Sequence, residues 1–85
     1  MKIEELIETS KRMVVEYYNR YVQNVETDMS DTTITTDYVE VVDICEDDDN
    51  KIYVTLKNNE DAWLLYNITY DQNTDTITES YISLK

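Results

Sequence analysis

The chain has 85 residues, 19 of them acidic and 7 basic, so its net charge at pH 7 is −12. Because a charge of this sign repels nucleic acid and anionic membranes and attracts basic protein surfaces, we expect no direct nucleic-acid or membrane binding. The chain contains no Gly, Pro, His or Phe and a single Cys, which excludes a glycine-rich phosphate loop, an imidazole base or metal ligand, and an internal disulfide.

The length and the first residues indicate one domain, residues 1–85, in the cytoplasm. The opening residues, MKIEELIETS, hold no apolar run and no cleavage site, unlike a signal peptide. No segment approaches the roughly 18 consecutive apolar residues of a membrane span. The hydrophobic fraction of 41% predicts a folded core.

Residues 2–25 have the spacing of one amphipathic helix. Charged residues occupy one face and include two i,i+4 pairs in the favourable order, Glu8 with Arg12 and Glu16 with Arg20, each worth about 0.3 kcal/mol. Apolar or small side chains recur every three or four positions and form a single stripe: Ile3, Leu6, Ile7, Ser10, Met13, Val14, Tyr17, Tyr18, Tyr21, Val22 and Val25.

Beyond residue 31 the apolar period changes to two. It predicts strands at about residues 32–45, 51–57, 62–70 and 76–84, joined by short polar turns. The alternation is irregular at residues 39–42, which predicts a β-bulge there. Without Gly, the turns must come from Asn and Asp, which tolerate positive φ. The predicted fold is therefore α+β, with one helix packed on a four-stranded antiparallel meander in the order α-β-β-β-β.

Few side chains offer catalytic or metal-binding chemistry. A general base near neutral pH needs His, or a carboxylate or Lys with a shifted pKa, and Cys45 has no His to activate it. The run from Asp43 to Asn50 departs from a calcium-binding EF-hand loop, because the positions that require Gly and Glu hold Asp48 and Val54. We predict no enzyme activity, no cofactor and no selective metal site.

The acidic residues are concentrated outside the predicted helix. Residues 21–50 contain ten acids and no base, and residues 58–84 contain five more acids and no base. Carboxylates fixed on turns and a sheet edge can mimic the spacing of nucleic-acid phosphates and attract a protein that binds phosphates through Lys and Arg. The alternative is that the acidity serves only solubility.

One helix can cover only one face of the predicted sheet. Exposed aromatic side chains within a charged rim are typical of an interface, which would serve either a second copy or a different protein. On the predicted register the uncovered face carries Tyr53, Thr55, Trp63, Leu65, Asn67 and Thr69, with Tyr81 beside them.

In length, acidity and its C-terminal segment EDDDNKIYVTLKNNEDAWLLYNITYDQNTDTITESYISLK, the chain resembles small inhibitors that bacteriophages carry against host defence and DNA-repair proteins. These are the anti-CRISPR proteins and the uracil-DNA glycosylase inhibitors. The resemblance implies an acidic α+β domain that acts as a DNA mimic, in the host cytoplasm if the chain is phage-encoded. A helix followed by a curved meander is also similar to a truncated cystatin-like or NTF2-like domain, which implies a homodimer.

The leading hypothesis is an inhibitor that occupies the basic groove of a nucleic-acid-binding protein of the host. The alternative is a homodimeric accessory domain that associates through its open sheet face. The residues predicted to contact the partner are Asp43, Glu46, Asp47, Asp48, Asp49, Tyr53, Glu60, Asp61, Trp63 and Leu65.

Overall fold

A computed structural model describes residues 2–22, 35–59 and 61–84. One helix packs on a four-stranded antiparallel meander in the order β1-β2-β3-β4, as the sequence predicts. Helix α1 spans Ile3–Tyr17 and continues as a π-helix over Tyr18–Val22. The strands are β1 (Val39–Glu46), β2 (Lys51–Asn58), β3 (Asp61–Asp71) and β4 (Thr76–Leu84).

The first strand is shorter than predicted. It begins at Val39 and not at residue 32, because a 3-10 helix occupies Thr36–Tyr38. Val39 pairs with Asn58, the last residue of β2, and beyond this pair one backbone bond, from the Asn59 N–H to the Tyr38 carbonyl at 2.8 Å, joins the 3-10 helix to the end of β2. Residues 32–34 and 23–25, which belong to the predicted strand and helix, lie outside the described residues.

The core lies between the apolar stripe of α1 and one face of the sheet. Leu6, Ser10 and Val14 of the helix are buried. Burying a side chain such as Leu6 contributes about 1.5–3 kcal/mol to stability. The core residues are Leu6, Val14, Tyr18, Val39, Ile52, Val54, Leu56, Tyr66, Ile68 and Tyr70.

Helix α1 does not cover the sheet evenly. It packs over β1, β2 and β3 and leaves most of β4, an edge strand, uncovered. Ile77 and Ile82 of β4 are consequently only half-buried, and Leu84 is 78% exposed. The sheet therefore has one apolar side that the helix fills only in part.

The irregular pairing of β1 with β2 and the unusual backbone angles occur where the sequence predicts them, whereas the register shifts at Lys57/Asn58 and Thr69/Tyr70 lie outside its predictions. The β1–β2 register shifts between Val41 and Asp43, next to the predicted bulge. Positive φ angles are found at Asn50 (63°) and Asp75 (55°) among the described residues. Asn and Asp thus supply the left-handed turn positions that Gly usually fills.

Substitutions at Asn50 test this turn assignment. We expect Asn50→Gly to be more stable than Asn50→Ala by about 1–2 kcal/mol, because a Cβ atom is unfavourable at positive φ. Both variants lose the Asn50 side chain, so their difference isolates the backbone effect. Urea unfolding of the two proteins measures it, and equal stabilities would contradict the left-handed conformation.

Candidate functional site

The β1–β2 and β3–β4 turns lie at the same end of the sheet, because alternate turns of a meander return to one side. The Gln72 backbone N–H donates to the Asn50 carbonyl at 3.0 Å. Asn73 Nδ2 donates to the Asp49 carbonyl at 3.4 Å, and Gln72 Nε2 donates to Glu46 Oε1 at 3.2 Å. These bonds join the two turns into one continuous surface.

We call this end of the sheet the acidic pole and define it as residues 46–51 and 71–76. Lys51 is the one base in these segments, against six acids. Among the described residues, ion pairs join Arg12 to Glu8 at 3.8 Å and Lys57 to Glu40 at 3.5 Å. The acids of the pole are Glu46, Asp47, Asp48, Asp49, Asp71 and Asp75.

Asp47 organises the first turn of the pole. Its Oδ1 accepts hydrogen bonds from the backbone N–H groups of Asp49 (2.9 Å) and Lys51 (3.0 Å), and its Oδ2 accepts one from the Tyr53 hydroxyl (2.7 Å). The Tyr53 bond, followed by the Lys51 bond, lowers the pKa of Asp47. The same bond to Asp47 raises the pKa of Tyr53 to about 12. Asp47 therefore carries charge and also builds the turn.

The second turn of the pole has a related arrangement. The Tyr70 hydroxyl donates to Asp75 Oδ1, and this bond raises the pKa of Tyr70 to about 12. The Asn73 backbone N–H donates to Asp71 Oδ1 at 2.8 Å. Because Tyr70 is buried in the core, its bond to Asp75 ties the acidic pole to the interior. Asp71 and Asp75 are absent from the predicted contact residues, although the meander order already places their turn beside the first.

The structure divides the predicted contact residues between two ends of the sheet. Trp63 and Leu65 lie near the β2–β3 turn, whereas Asp71 marks the pole. Asp71 follows Leu65 by six positions along β3, a distance of roughly 20 Å in an extended strand. Of the remaining predicted residues, Glu46, Asp47, Asp48, Asp49 and Tyr53 lie at or beside the pole, Asp43 is exposed farther along β1, Asp61 begins β3, and Glu60 lies outside the described residues.

The face of the sheet opposite α1 is polar at its centre. The register sets Asp43, Thr55, Asn67 and Tyr81 in one row across the four strands. Asn67 Nδ2 donates to Ser83 Oγ at 3.0 Å, and Asn67 Oδ1 accepts from Thr55 Oγ1 at 3.4 Å. A hydrogen-bonded strip therefore lies between the aromatic side chains that the sequence predicts on this face.

Trp63 is the most exposed aromatic residue described, at 77%. It lies where the β2–β3 register shifts, because Asn58 pairs with Asp61 whereas Lys57 pairs with Leu65. The irregular segment places the indole at the far end of the sheet from the acidic pole. The described surface thus offers a charged contact at one end and an aromatic contact at the other.

Comparison with models of known protein families, with curated proteins and with solved structures finds no match to this chain. No helix within residues 2–22, 35–59 and 61–84 has the length and apolarity to cross a membrane. The same residues bring together no group of three or more Cys, Asp or Glu side chains that could hold a metal ion.

Asp47→Asn should reduce the sensitivity of the fold to acid. Because the pKa of Asp47 is lowered in the folded protein, its carboxylate stabilises the fold above the unfolded-chain value near 3.8. This contribution is lost as the pH falls through the folded value. Thermal unfolding from about pH 7 to about pH 3 should show a smaller fall in Tm for Asp47→Asn than for the wild type.

Asp48→Asn is the matched control, because it removes the same charge from the same turn but its side chain makes none of these hydrogen bonds. It should keep the wild-type dependence of Tm on pH. If the Tm of Asp47→Asn falls with pH in parallel with the Tm of the wild type, the hydrogen bonds of Asp47 do not contribute to the acid sensitivity of the fold.

Proposed function

We propose that this protein is a stoichiometric inhibitor that docks its acidic pole in the basic groove of a nucleic-acid-processing protein. The observation that carries the proposal is the joining of two acidic turns by the hydrogen bonds of Gln72 and Asn73. Charges held on hydrogen-bonded turns lose less conformational freedom on binding than charges on a flexible tail. The partner would be a protein of the cell whose cytoplasm contains this chain.

The dimensions of the pole suit a groove that binds phosphates. The two turns lie two strand spacings apart, about 10 Å in a regular sheet. About three nucleotides of one DNA strand span the same length along the helix axis. A groove whose Lys and Arg side chains follow phosphates would meet carboxylates at a similar density.

Electrostatic attraction would act mainly on the rate of association. Single exposed charge pairs contribute about 0–1 kcal/mol each. The carboxylates of Glu46, Asp47, Asp48, Asp49 and Asp71 outnumber Lys51 and create a combined field that steers a basic partner from a distance. Because the pKa of Asp47 is lowered, this residue remains charged at neutral pH and adds to the field.

Trp63 and Leu65 would provide a second, apolar contact. They lie at the opposite end of β3, which is 11 residues long. One partner would reach both contacts only by covering the full length of this strand. Docking through the pole alone is therefore the simpler arrangement, and the aromatic end would strengthen binding to a large partner.

The alternative function, a homodimeric accessory domain associating through the open sheet face, draws on the exposure of Trp63 (77%) and Tyr81 (54%). Homodimer interfaces are usually more apolar than the rest of the surface. The polar strip of Thr55, Asn67 and Ser83 crosses the middle of this face. We therefore favour the inhibitor.

Reversing two charges of the pole tests the proposal. We expect Asp48→Lys combined with Asp49→Lys to slow association with the partner at least about tenfold at low salt, because the steering field is reduced. Asp47 is kept, since its substitution would disrupt the turn itself. Asp37→Lys combined with Glu40→Lys makes the same change in net charge near the start of β1, at the opposite end of this strand from the pole, and should associate at the wild-type rate.

To identify the partner, the immobilised wild-type protein is incubated with a host lysate at low salt. The bound proteins are then eluted with duplex DNA. A DNA mimic should retain nucleic-acid-binding proteins that duplex DNA releases and that the pole variant fails to capture. Bound proteins that resist DNA competition, or that bind the pole variant and the wild type equally, would refute docking through the pole.

A further inference from the structure

An open groove runs between α1 and the edge strand β4. Its volume is about 400 Å³, and its lining includes Met13, Tyr17, Tyr66, Ile68 and Ile82. The Tyr17 and Tyr66 rings meet edge to face, with centroids 6.0 Å apart and planes at 71°. The groove exists because the helix lies over the first three strands and leaves the apolar side of β4 partly open.

The free edge of β4 has little protection against pairing with another strand. Exposed edges usually carry several charges, a proline or a bulge that prevents such pairing. Within Thr76–Leu84 the one charged residue is Glu79, and the register shift at Thr78 leaves residues 79–84 in regular pairing with β3. Among the described residues no strand pairs with the outer side of this six-residue stretch, so it can accept a further strand.

We propose that a second copy of this chain occupies the edge, so that two β4 strands pair antiparallel and form one eight-stranded sheet. The pairing is centred on Tyr81, which places the two Tyr81 side chains opposite each other. Ser80 then faces Ile82 on the groove side, and Glu79 faces Ser83 on the other side. No two like charges are opposed, and aromatic cross-strand pairs of this kind are stabilising.

The charge distribution favours a second copy at this edge in spite of the net charge of −12. The groove is lined by one acid and one base, Glu16 and Arg20, so its local charge is balanced. An antiparallel pair centred on Tyr81 points the two acidic poles in opposite directions. Asp75 lies six residues from the centre, so the poles are separated by about 40 Å, several times the Debye length of about 8 Å at physiological salt.

This dimer does not require the docking function proposed above, and the native Cys45 provides a direct test. Cys45 is exposed on β1, so a nitroxide label can be attached without substitution. In the eight-stranded sheet the two β1 strands are outermost, and seven strand spacings place the labels roughly 35 Å apart. Dimers through β1 edges or open sheet faces would bring them within about 25 Å.

Light scattering on the unlabelled protein should give twice the chain mass of 10.1 kDa, and double electron–electron resonance on the labelled protein should give the longer distance. Ser80→Glu should yield a monomer with an unchanged circular dichroism spectrum, because it would bury a carboxylate in the partner copy's groove. Val42→Glu on the other edge and Trp63→Ala on the open face should remain dimeric.

A wild-type monomer at all concentrations, or a label distance below about 25 Å, would overturn the β4 dimer. Disruption by Val42→Glu or Trp63→Ala, with Ser80→Glu still dimeric, would also overturn it. Asp48→Lys combined with Asp49→Lys should dimerise like the wild type, so loss of partner capture in that variant reports on docking alone.

Discussion

The return of alternate turns to one end of the meander is the constraint on which the rest of the structure depends. It places residues 46–51 beside residues 71–76, and side chains of both segments bond across the gap between them. In a chain without Gly, Asn and Asp fill the turns, so the requirements of the backbone add carboxylates to this end. The acidic pole follows from fold and composition together.

The same carboxylates serve structure and electrostatics. Asp47 accepts three hydrogen bonds within its hairpin, and Asp75 accepts the hydroxyl of the buried Tyr70. Hydrogen bonds to the ionised carboxylate lower its pKa, so the folded protein is more stable when Asp47 is charged. Asp48, which makes none of Asp47's bonds, is available to a partner. Within one short turn, neighbouring acids therefore have separable roles.

Local patterns in the sequence predict much of this fold. The helical stripe, the order of strands, the irregularity near Val41 and the left-handed Asn50 all follow from residue type and spacing. The late start of β1 does not, because Thr and Tyr favour strands and the end of its pairing with β2 at Asn58 depends on tertiary structure. The offset of α1 from β4 likewise depends on packing. The predicted contact residues fall into two groups, because roughly 20 Å of β3 lies between Leu65 and Asp71.

The electrostatic potential near individual backbone amides tests the acidic pole most directly. It is obtained by NMR from the paramagnetic relaxation caused by small cationic and anionic nitroxide cosolutes. We expect the strongest enrichment of the cation over the anion at the amides of residues 47–50 and 72–75, and a clearly weaker one along α1 and around Lys57. A uniform ratio over the surface would contradict the concentration of charge at one end of the sheet.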